Sequence, residues 1–296
     1  MPVSQKDAQL TGFQALATNY DGFVREPNGI EEQTISAGGV THVVKVGDTV
    51  RRPTRPFTAT IQLYLAHLRT QGFTNAPEPL GYDKHGREVL SYVPGDVPAE
   101  PLPAWATVDD VIVALAKLIR QLHDAAVGWV PPGDACWGSI PGSPASGVVP
   151  LFDEPELVAH QDYCPGNVVF RGGIPSAFID FDLARPTTRV VDIVNALYWW
   201  APLLHPLDRA PALVEADAAA RVRLFADSYG MTADQRMKVV AIALQRVRNT
   251  SLTMRAAADV DPVFRRWWDE GVKDRMPRAE SWLTQEAGRI NALLQN

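Results

Sequence analysis

Short apolar runs separated by turn residues dominate the first hundred positions, and this pattern predicts a small sheet with one helix. THVVKV and TVRRP are rich in β-branched residues and flank Gly-Asp, so residues 41–46 and 49–52 are predicted to pair as an antiparallel hairpin. The stretch FTATIQLYLAHLRTQG has apolar residues at helical spacing and ends on Gly72, which predicts a helix. REVLSYV predicts one more strand.

The chain beyond residue 106 has the period of helices. Apolar residues from Val111 to Leu122 recur every three or four positions, and Thr107 with Asp110 resembles a capping box at the start of that helix. Residues 129–150 are rich in Pro, Gly and Ser and are predicted to be loop. Further helices are predicted over residues 190–200, 209–229, 232–256 and 279–294.

These elements predict an α+β protein of two lobes. Residues 1–95 would form a small antiparallel-sheet lobe, and residues 96–296 would form a mainly helical lobe. The proline-rich stretch GDVPAEPLPAW would connect the lobes.

Composition narrows the class of protein. The chain has 296 residues and a formal net charge of −6, which argues against a nucleic-acid partner, because phosphate contacts need clustered Lys and Arg. The sequence has no long apolar segment, so neither a membrane span nor a secretion signal is predicted. Its two cysteines lack metal-type spacing, which favours a cytoplasmic location. Charge is uneven, because residues 1–200 hold 14 basic and 22 acidic side chains (net −8), whereas residues 201–296 hold 14 and 12 (net +2). No motif indicates an oligomeric state.

The densest group of chemically capable residues lies in HQDYCPGN and, after a short apolar hairpin, FIDFDLARP. With GGIP as the turn, outward pairing sets Asn167 opposite Asp180, about 4.5–5.5 Å apart. An amide oxygen and a carboxylate at that separation can share a hard cation such as Mg²⁺. Asp162 lies on the loop before the hairpin, so it can stand beside this metal site as a base that accepts a hydroxyl proton.

The wording of these segments resembles the aminoglycoside phosphotransferase family, which includes choline and other small-molecule kinases, over about residues 35–200. The resemblance implies a bilobal, protein-kinase-like fold that transfers the γ-phosphoryl group of ATP, or GTP, to a hydroxyl of a small molecule. By the same resemblance Asp162 would be the catalytic base, Asn167 and Asp180 the Mg²⁺ ligands, and His160 a residue that orients the loop. Asp192 matches a family aspartate that is usually structural.

Other family parts are expected in the first lobe. Gly38 and Gly39 would form the loop that covers the phosphates. Residues Ser91, Tyr92 and Val93 resemble the interlobe hinge, whose backbone would hydrogen-bond the adenine.

The cation that contacts the nucleotide phosphates is predicted to be Arg51 or Arg52. Arg52 is favoured because strand alternation then puts Val50 on the same face, as a cover for the adenine. Lys45 is the rival. In kinases this cation pairs with a helix glutamate, whereas the helix here offers Gln62 and no acidic residue.

Several secondary interpretations stay open. Asp182 is either a second carboxylate beside the metal or a residue that orders the ARP loop. His123 is predicted to be a satisfied histidine at a helix end. The arginines of the long C-terminal helix are predicted to lie on a solvated face: Arg246, Arg248 and Arg255.

Two alternative functions remain alongside the kinase. The first is a nucleotide-binding protein without turnover, suggested by Gln62 and the short glycine loop. The second is a metal-dependent hydrolase that uses His160, Asp162 and Asp180 as ligands. The acceptor is also open between an aminoglycoside and another hydroxylated metabolite, because an aminoglycoside calls for carboxylates and the helical region is slightly basic.

Overall fold

The fold is described from a computed structural model, which covers residues 32–35, 43–99 and 101–295. The two glycines predicted to cover the phosphates, Gly38 and Gly39, lie outside these ranges. No helix in this part of the chain combines the length and apolarity needed to cross a bilayer.

Five antiparallel strands form the sheet of the first lobe within the described ranges, in the spatial order β1-β2-β3-β5-β4. They are β1 (Gln33–Thr34), β2 (Val44–Val46), β3 (Thr49–Arg52), β4 (Pro79–Tyr82) and β5 (Glu88–Ser91). The predicted hairpin is confirmed, since Val44 pairs with Arg51 and Val46 with Thr49. Strand β4 was not predicted, because its sequence PLGY contains both a proline and a glycine.

Helix α1 (Thr58–Thr70) follows β3 and packs its apolar side into the core. Ile61, Tyr64 and Leu68 are fully buried. Gly72 follows the helix with φ +85°, a conformation that glycine adopts without steric cost, so the predicted helix and its stop are confirmed.

The connection between the lobes is tied to the second lobe through backbone contacts. Gly95 has φ +146°, and a Cβ there would lie 2.4 Å from the Phe170 carbonyl oxygen, so only glycine fits. Asp96 and Phe170 then exchange two backbone hydrogen bonds of 2.9 and 2.7 Å. The connection is thereby anchored to the strand that follows the HQDYCPGN loop.

The second lobe is mainly helical. Its helices are α2 (Asp109–Ala126), α3 (Arg189–Trp200), α4 (Ala218–Tyr229), α5 (Ala233–Val260), α6 (Pro262–Trp267) and α7 (Lys273–Gln295). Its strands are β6 (Leu157–Ala159), β7 (Val168–Arg171), β8 (Ile174–Phe178) and β9 (Arg185–Thr187), which form the pairs β6–β9 and β7–β8. Residues 129–150 contain neither helix nor strand, as predicted.

Two predicted helix starts are wrong. The Thr107 hydroxyl donates to the Ala104 carbonyl instead of capping α2, whose N-cap residue is Val108. The helix predicted from residue 209 begins at Ala218, because Pro206 and Pro211 confine the preceding segment to short 3₁₀ turns.

Candidate active site

The hairpin β7–β8 has a different register from the one predicted. The turn is Gly172-Gly173 alone, and both residues have positive φ, 58° and 79°, as a two-residue type I′ turn requires. Pro175 therefore lies within β8, beside an irregularity in the ladder where a missing N–H is tolerated. The Ile179 amide donates to the Asn167 carbonyl at 3.0 Å, so Ile179, and not Asp180, lies beside Asn167.

Asp162 and Asn167 are in direct contact despite this register change. Asn167 Nδ2 donates to the Asp162 carboxylate at 2.9 Å and to the Asp162 carbonyl at 3.1 Å. These two bonds commit the amide nitrogen of Asn167 and leave its amide oxygen for another partner. Asn167 itself is buried, so its orientation is held by the protein.

Asp180 lies just after β8 in the left-handed conformation, with φ +61°. Aspartate tolerates this region better than most residues, and the conformation turns the chain away from the hairpin. Its side chain is 52% exposed, and one carboxylate oxygen lies 3.5 Å from Arg52 Nη1. Asp180 therefore offers an accessible carboxylate next to a buried cation.

Arg52 is the cation that the fold brings to this site. Its guanidinium forms ion pairs with the carboxylate of Glu88 and, at 2.7 Å, with that of Asp182. Burial on its own would lower the pKa of Arg52, but Glu88, Asp182 and Asp180 together raise it, so the group is charged at all relevant pH values. Arg51 points instead toward Asp83, at 3.8 Å, and the Lys45 ammonium lies 4.0 Å from the centre of the Tyr92 ring.

Glu88 supplies the carboxylate that sequence reasoning did not find on the helix. It lies directly opposite Arg52 on the neighbouring strand β5 and is completely buried. Gln62 Nε2 of α1 donates to its other oxygen at 2.8 Å. Gln62 thus contacts Arg52 indirectly, through Glu88. The cross-strand pairing of TVRR with EVLS was the sequence signal that could have revealed Glu88 as the partner.

Placing a glutamate at position 62 of helix α1 is expected to destabilise this protein. Gln62→Glu would place a second carboxylate against the buried Glu88 and replace a hydrogen bond by repulsion, at a cost of about 1–3 kcal/mol of unfolding free energy. The measurement is chemical denaturation of wild type, Gln62→Glu and Glu88→Gln, and of the double variant that exchanges the two residues. The exchange should recover most of the loss, and a Gln62→Glu protein as stable as wild type would contradict this account.

Two of the three backbone amides of the predicted hinge, those of Ser91 and Tyr92, already donate hydrogen bonds within the protein. Ser91 N donates to the Glu78 carbonyl at 2.9 Å, and Tyr92 N donates to the Asp48 carbonyl at 2.8 Å. These amides are not available to a nucleotide. The amide of Val93 stays the candidate donor.

His160 is buried and orders the loop through both ring nitrogens. Nε2 is bonded to the Ile179 carbonyl at 2.9 Å, and Nδ1 accepts from the Asp162 amide at 3.2 Å. A ring engaged in this way has no nitrogen left for a metal ion. Within the described ranges, no group of three or more His, Cys, Asp or Glu side chains is arranged to hold a metal.

Burial raises the pKa of Asp162, and the charge of Asp180 raises it further, whereas His160 and Arg246 lower it. Burial and the charge of Asp180 also raise the pKa of Asp182, to about 7, against the opposing effect of Arg52. Burial likewise raises the pKa of the Cys164 thiol, which excludes a reactive thiolate there at neutral pH. The site is therefore a cluster of carboxylates that a bound metal cation would stabilise.

One surface prediction is wrong. Arg246 of α5 is only partly exposed and does not lie on a solvated face. Burial lowers its pKa, and its charge acts on both Asp162 and Asp192. Arg248, two residues later, is half exposed and pairs with Glu280 at 2.7 Å, as expected of a surface residue. The helical period alone cannot show which polar side faces the active site.

The part of the second lobe that holds the candidate site matches a known protein family. Residues 140–225, which contain the HQDYCPGN loop, the hairpin and α3, match the phosphotransferase enzyme family (APH). The match confirms, over these residues, the resemblance drawn from the motif.

Relatives extend the likeness over nearly the whole chain. The trifolitoxin immunity protein of Rhizobium leguminosarum bv. trifolii is 27% identical over 277 residues, which cover 89% of this chain and 99% of the relative. A choline/ethanolamine kinase family protein from Mesorhizobium loti is 16% identical with a TM-score of 0.60, covering 97% and 99% of the two chains. Choline kinase from Cryptosporidium parvum Iowa II is 12% identical with a TM-score of 0.56, covering 97% and 100%. These solved structures confirm the predicted bilobal fold.

Proposed function

We propose that the protein transfers the γ-phosphoryl group of ATP to a hydroxyl group of a small molecule. The observation that carries this proposal is the contact between Asn167 and Asp162, which joins a carboxylate base to an amide whose oxygen is left for a cation. The carboxylate of Asp180 completes the set, since its charge acts directly on Asp162. Base and cation donors at one place are what in-line phosphoryl transfer needs.

In this reaction Asp162 orients the acceptor hydroxyl and takes its proton. A new bond forms between the hydroxyl oxygen and the γ-phosphorus, the bond from that phosphorus to the β–γ bridging oxygen breaks, and ADP leaves. Because the transition state is loose, catalysis depends mainly on position and charge neutralisation. Arg52, held by Glu88 and Asp182, contributes a fixed positive charge for the phosphates.

Mg²⁺ fits the donors of this site. The Asn167 amide oxygen and the Asp180 carboxylate are hard oxygen ligands, few in number, which suits an ion that keeps several ligands from water and phosphate. When bound, Mg²⁺ neutralises charge that develops on the transferring phosphoryl group. Asp182 is a supporting carboxylate, because its nearer contact is to Arg52.

The nucleotide is proposed to lie between the lobes, with its base at the hinge near Val93. ATP is preferred over GTP in this proposal because the hinge prediction is for adenine. Both cysteines are free thiols, which agrees with a cytoplasmic setting where ATP is available.

The two alternative functions receive less support from the site. The nucleotide-binding protein without turnover was suggested by the missing helix glutamate, yet Glu88 supplies that carboxylate to Arg52. The hydrolase requires His160 as a metal ligand, yet both of its ring nitrogens are engaged by the backbone. The name of the 27% identical relative adds a toxin to the acceptor classes that deserve a test.

The test is ADP release across amino alcohols, sugars, hydroxy acids, aminoglycosides and a hydroxyl-bearing toxin, each with ATP or GTP. Wild type is compared with Asp180→Asn and with Asp153→Asn, a matched change at an exposed loop residue. We expect acceptor-dependent ADP release that EDTA abolishes, and Asp180→Asn should need more Mg²⁺ for half-maximal rate. Equal Mg²⁺ requirements in the three proteins would refute the assignment of Asp180.

A further inference from the structure

Three arginines of the second lobe are partly buried and form no ion pair with the described residues. Arg185 begins β9, Arg246 lies in the middle of α5 and Arg275 lies near the start of α7. Each is only partly accessible, and no carboxylate of the described residues forms an ion pair with any of them. Surface arginines of the same helices behave differently, since Arg248 pairs with Glu280 and Arg278 pairs with Asp208.

The three side chains converge on one region next to the catalytic loop. The charge of Arg246 acts on Asp162, Arg185 and Tyr198, and the Tyr198 hydroxyl is hydrogen-bonded to Arg275. Arg185 Nε donates to the Leu183 carbonyl at 3.1 Å, which holds the side chain beside the segment that follows Asp180. The group defined by Arg185, Arg246 and Arg275 is called the arginine cluster below.

The arginine cluster is costly in the protein alone. Burial lowers the pKa of Arg185 and of Arg246. The charges of Asp162 and Asp192 oppose this effect at Arg246, and the charge of Arg185 adds to it. Arg275 Nε is buried and has no hydrogen-bond partner among the described residues. A guanidinium taken from water without a directly paired anion is destabilising, so a ligand that supplies such an anion would bind favourably.

Carboxylates close to the arginine cluster already have partners. Asp208 accepts from Arg278 through both oxygens, at 2.9 and 2.5 Å. Asp192 accepts four hydrogen bonds, from His123, Tyr163 and twice from Gln161. Asp192 and Asp162 act on Arg246 through their charge, but among the described residues neither forms an ion pair with the arginine cluster.

We propose that the acceptor is an anion, whose carboxylate or phosphate group is bound by Arg246 together with Arg185 and Arg275 while its hydroxyl faces Asp162. This inference rests on the proposed phosphotransferase function and names its substrate class. The planar guanidinium matches both anions through paired hydrogen bonds. A cationic amino alcohol or aminoglycoside would meet repulsion at the same place.

The experiment uses four acceptors that share a three-carbon hydroxylated skeleton: glycerate, glycerol 3-phosphate, glycerol and 3-amino-1,2-propanediol. ADP release gives kcat/KM for wild type, Arg246→Gln and Arg248→Gln, the last a matched change two residues away on the same helix. We expect wild type to prefer an anion. Arg246→Gln should lower kcat/KM for that anion by about tenfold or more beyond any change that it makes with glycerol, since the loss of its charge next to Asp162 affects all acceptors alike. The better of the two anions identifies carboxylate or phosphate as the bound group.

Two results would overturn the inference while leaving phosphoryl transfer intact. One is a wild type that uses 3-amino-1,2-propanediol as well as either anion, and the other is an Arg246→Gln variant that loses all four acceptors equally. Arg248→Gln should match wild type throughout.

Binding is measured separately, so that the anion site can be tested even if no acceptor is turned over. Calorimetric titration of glycerate and glycerol 3-phosphate into each protein should show saturable binding to wild type and to Arg248→Gln, weakened about tenfold or more in Arg246→Gln. If no acceptor gives ADP release but this pattern holds, the proposed function fails and the anion site stands. Absence of saturable binding of both anions to wild type would overturn the anion site itself.

Discussion

Replacing Asp162 by asparagine is expected to lower kcat for phosphoryl transfer by about 10²–10⁴-fold, because the variant cannot accept the hydroxyl proton. The change should leave the loop in place. Asn167 can still donate to the carbonyl of residue 162, which already accepts a 3.1 Å hydrogen bond, and to the new amide oxygen. Affinity for MgATP should therefore change little, and steady-state kinetics with a nucleotide-binding measurement separates the two effects.

Asp153→Asn is the control for this experiment, since it makes the same chemical change at an exposed loop position of the same lobe. It should retain wild-type kcat and KM. An Asp162→Asn enzyme with near wild-type kcat would show that the base lies elsewhere. A variant that loses nucleotide binding as well would show that Asp162 acts mainly on the shape of the loop.

Asp192→Asn is expected to lower the free energy of unfolding by about 3 kcal/mol, the largest stability effect we predict. The buried carboxylate accepts from His123 at 2.7 Å, from the Tyr163 hydroxyl at 2.5 Å and twice from Gln161 at 2.8 Å. An amide has one acceptor oxygen and two N–H donors, so it cannot satisfy four donors. Denaturant titration followed by tryptophan fluorescence measures the loss.

The same substitution should also reduce catalysis. Gln161 has φ +65°, a left-handed conformation that costs about 1–2 kcal/mol for a non-glycine residue. Asp192 stabilises that conformation by accepting from both the backbone and the side chain of Gln161, and Asp162 is the next residue. Loss of Asp192 would release Gln161 and displace the base.

The stability effect has a defined pH range. Burial alone would raise the pKa of Asp192, but its hydrogen bonds with His123, Tyr163 and Gln161 lower it below the usual value. A carboxyl whose pKa is depressed on folding contributes stability above its unfolded pKa, about 3.9, and loses it as the pH falls through the folded pKa. The difference between wild type and Asp192→Asn should thus be full at neutral pH and shrink below about pH 4.

Asp124→Asn provides the matched control for stability. Asp124 is about half exposed and pairs with Arg120 and Arg189 at the surface, so its replacement should cost no more than about 1 kcal/mol. Equal losses in the two variants would mean that the network around Asp192 contributes nothing beyond an ordinary ion pair.

The prediction for His123 shows which structural features the local sequence can indicate. RQLHDA was interpreted as a helix end with a satisfied histidine, and His123 is indeed buried near the end of α2, with its nitrogens bonded to Tyr229 and Asp192. The partners were not predictable, because they come from residues 69 and 106 positions further along the chain.

The amino-acid sequence alone was sufficient for the features that depend on neighbours in the chain. Asp162 and Asn167 are five residues apart on one loop, so their spacing already implied a joint site. The helical and strand periods likewise identified most elements, since each reflects local geometry and one buried face.

Only the tertiary structure decided which distant charges meet. Strand pairing brought Glu88 to Arg52. The two-glycine turn and the irregularity in the hairpin ladder together shifted the register near Asn167 by one residue. The packing of α5 brought Arg246 close enough for its charge to act on Asp162. These outcomes depend on register and on the rotation of packed helices, which no residue type specifies by itself. The proposed chemistry is therefore readable from the chain, whereas the partner of Arg52 and the surroundings of Arg246 depend on the fold.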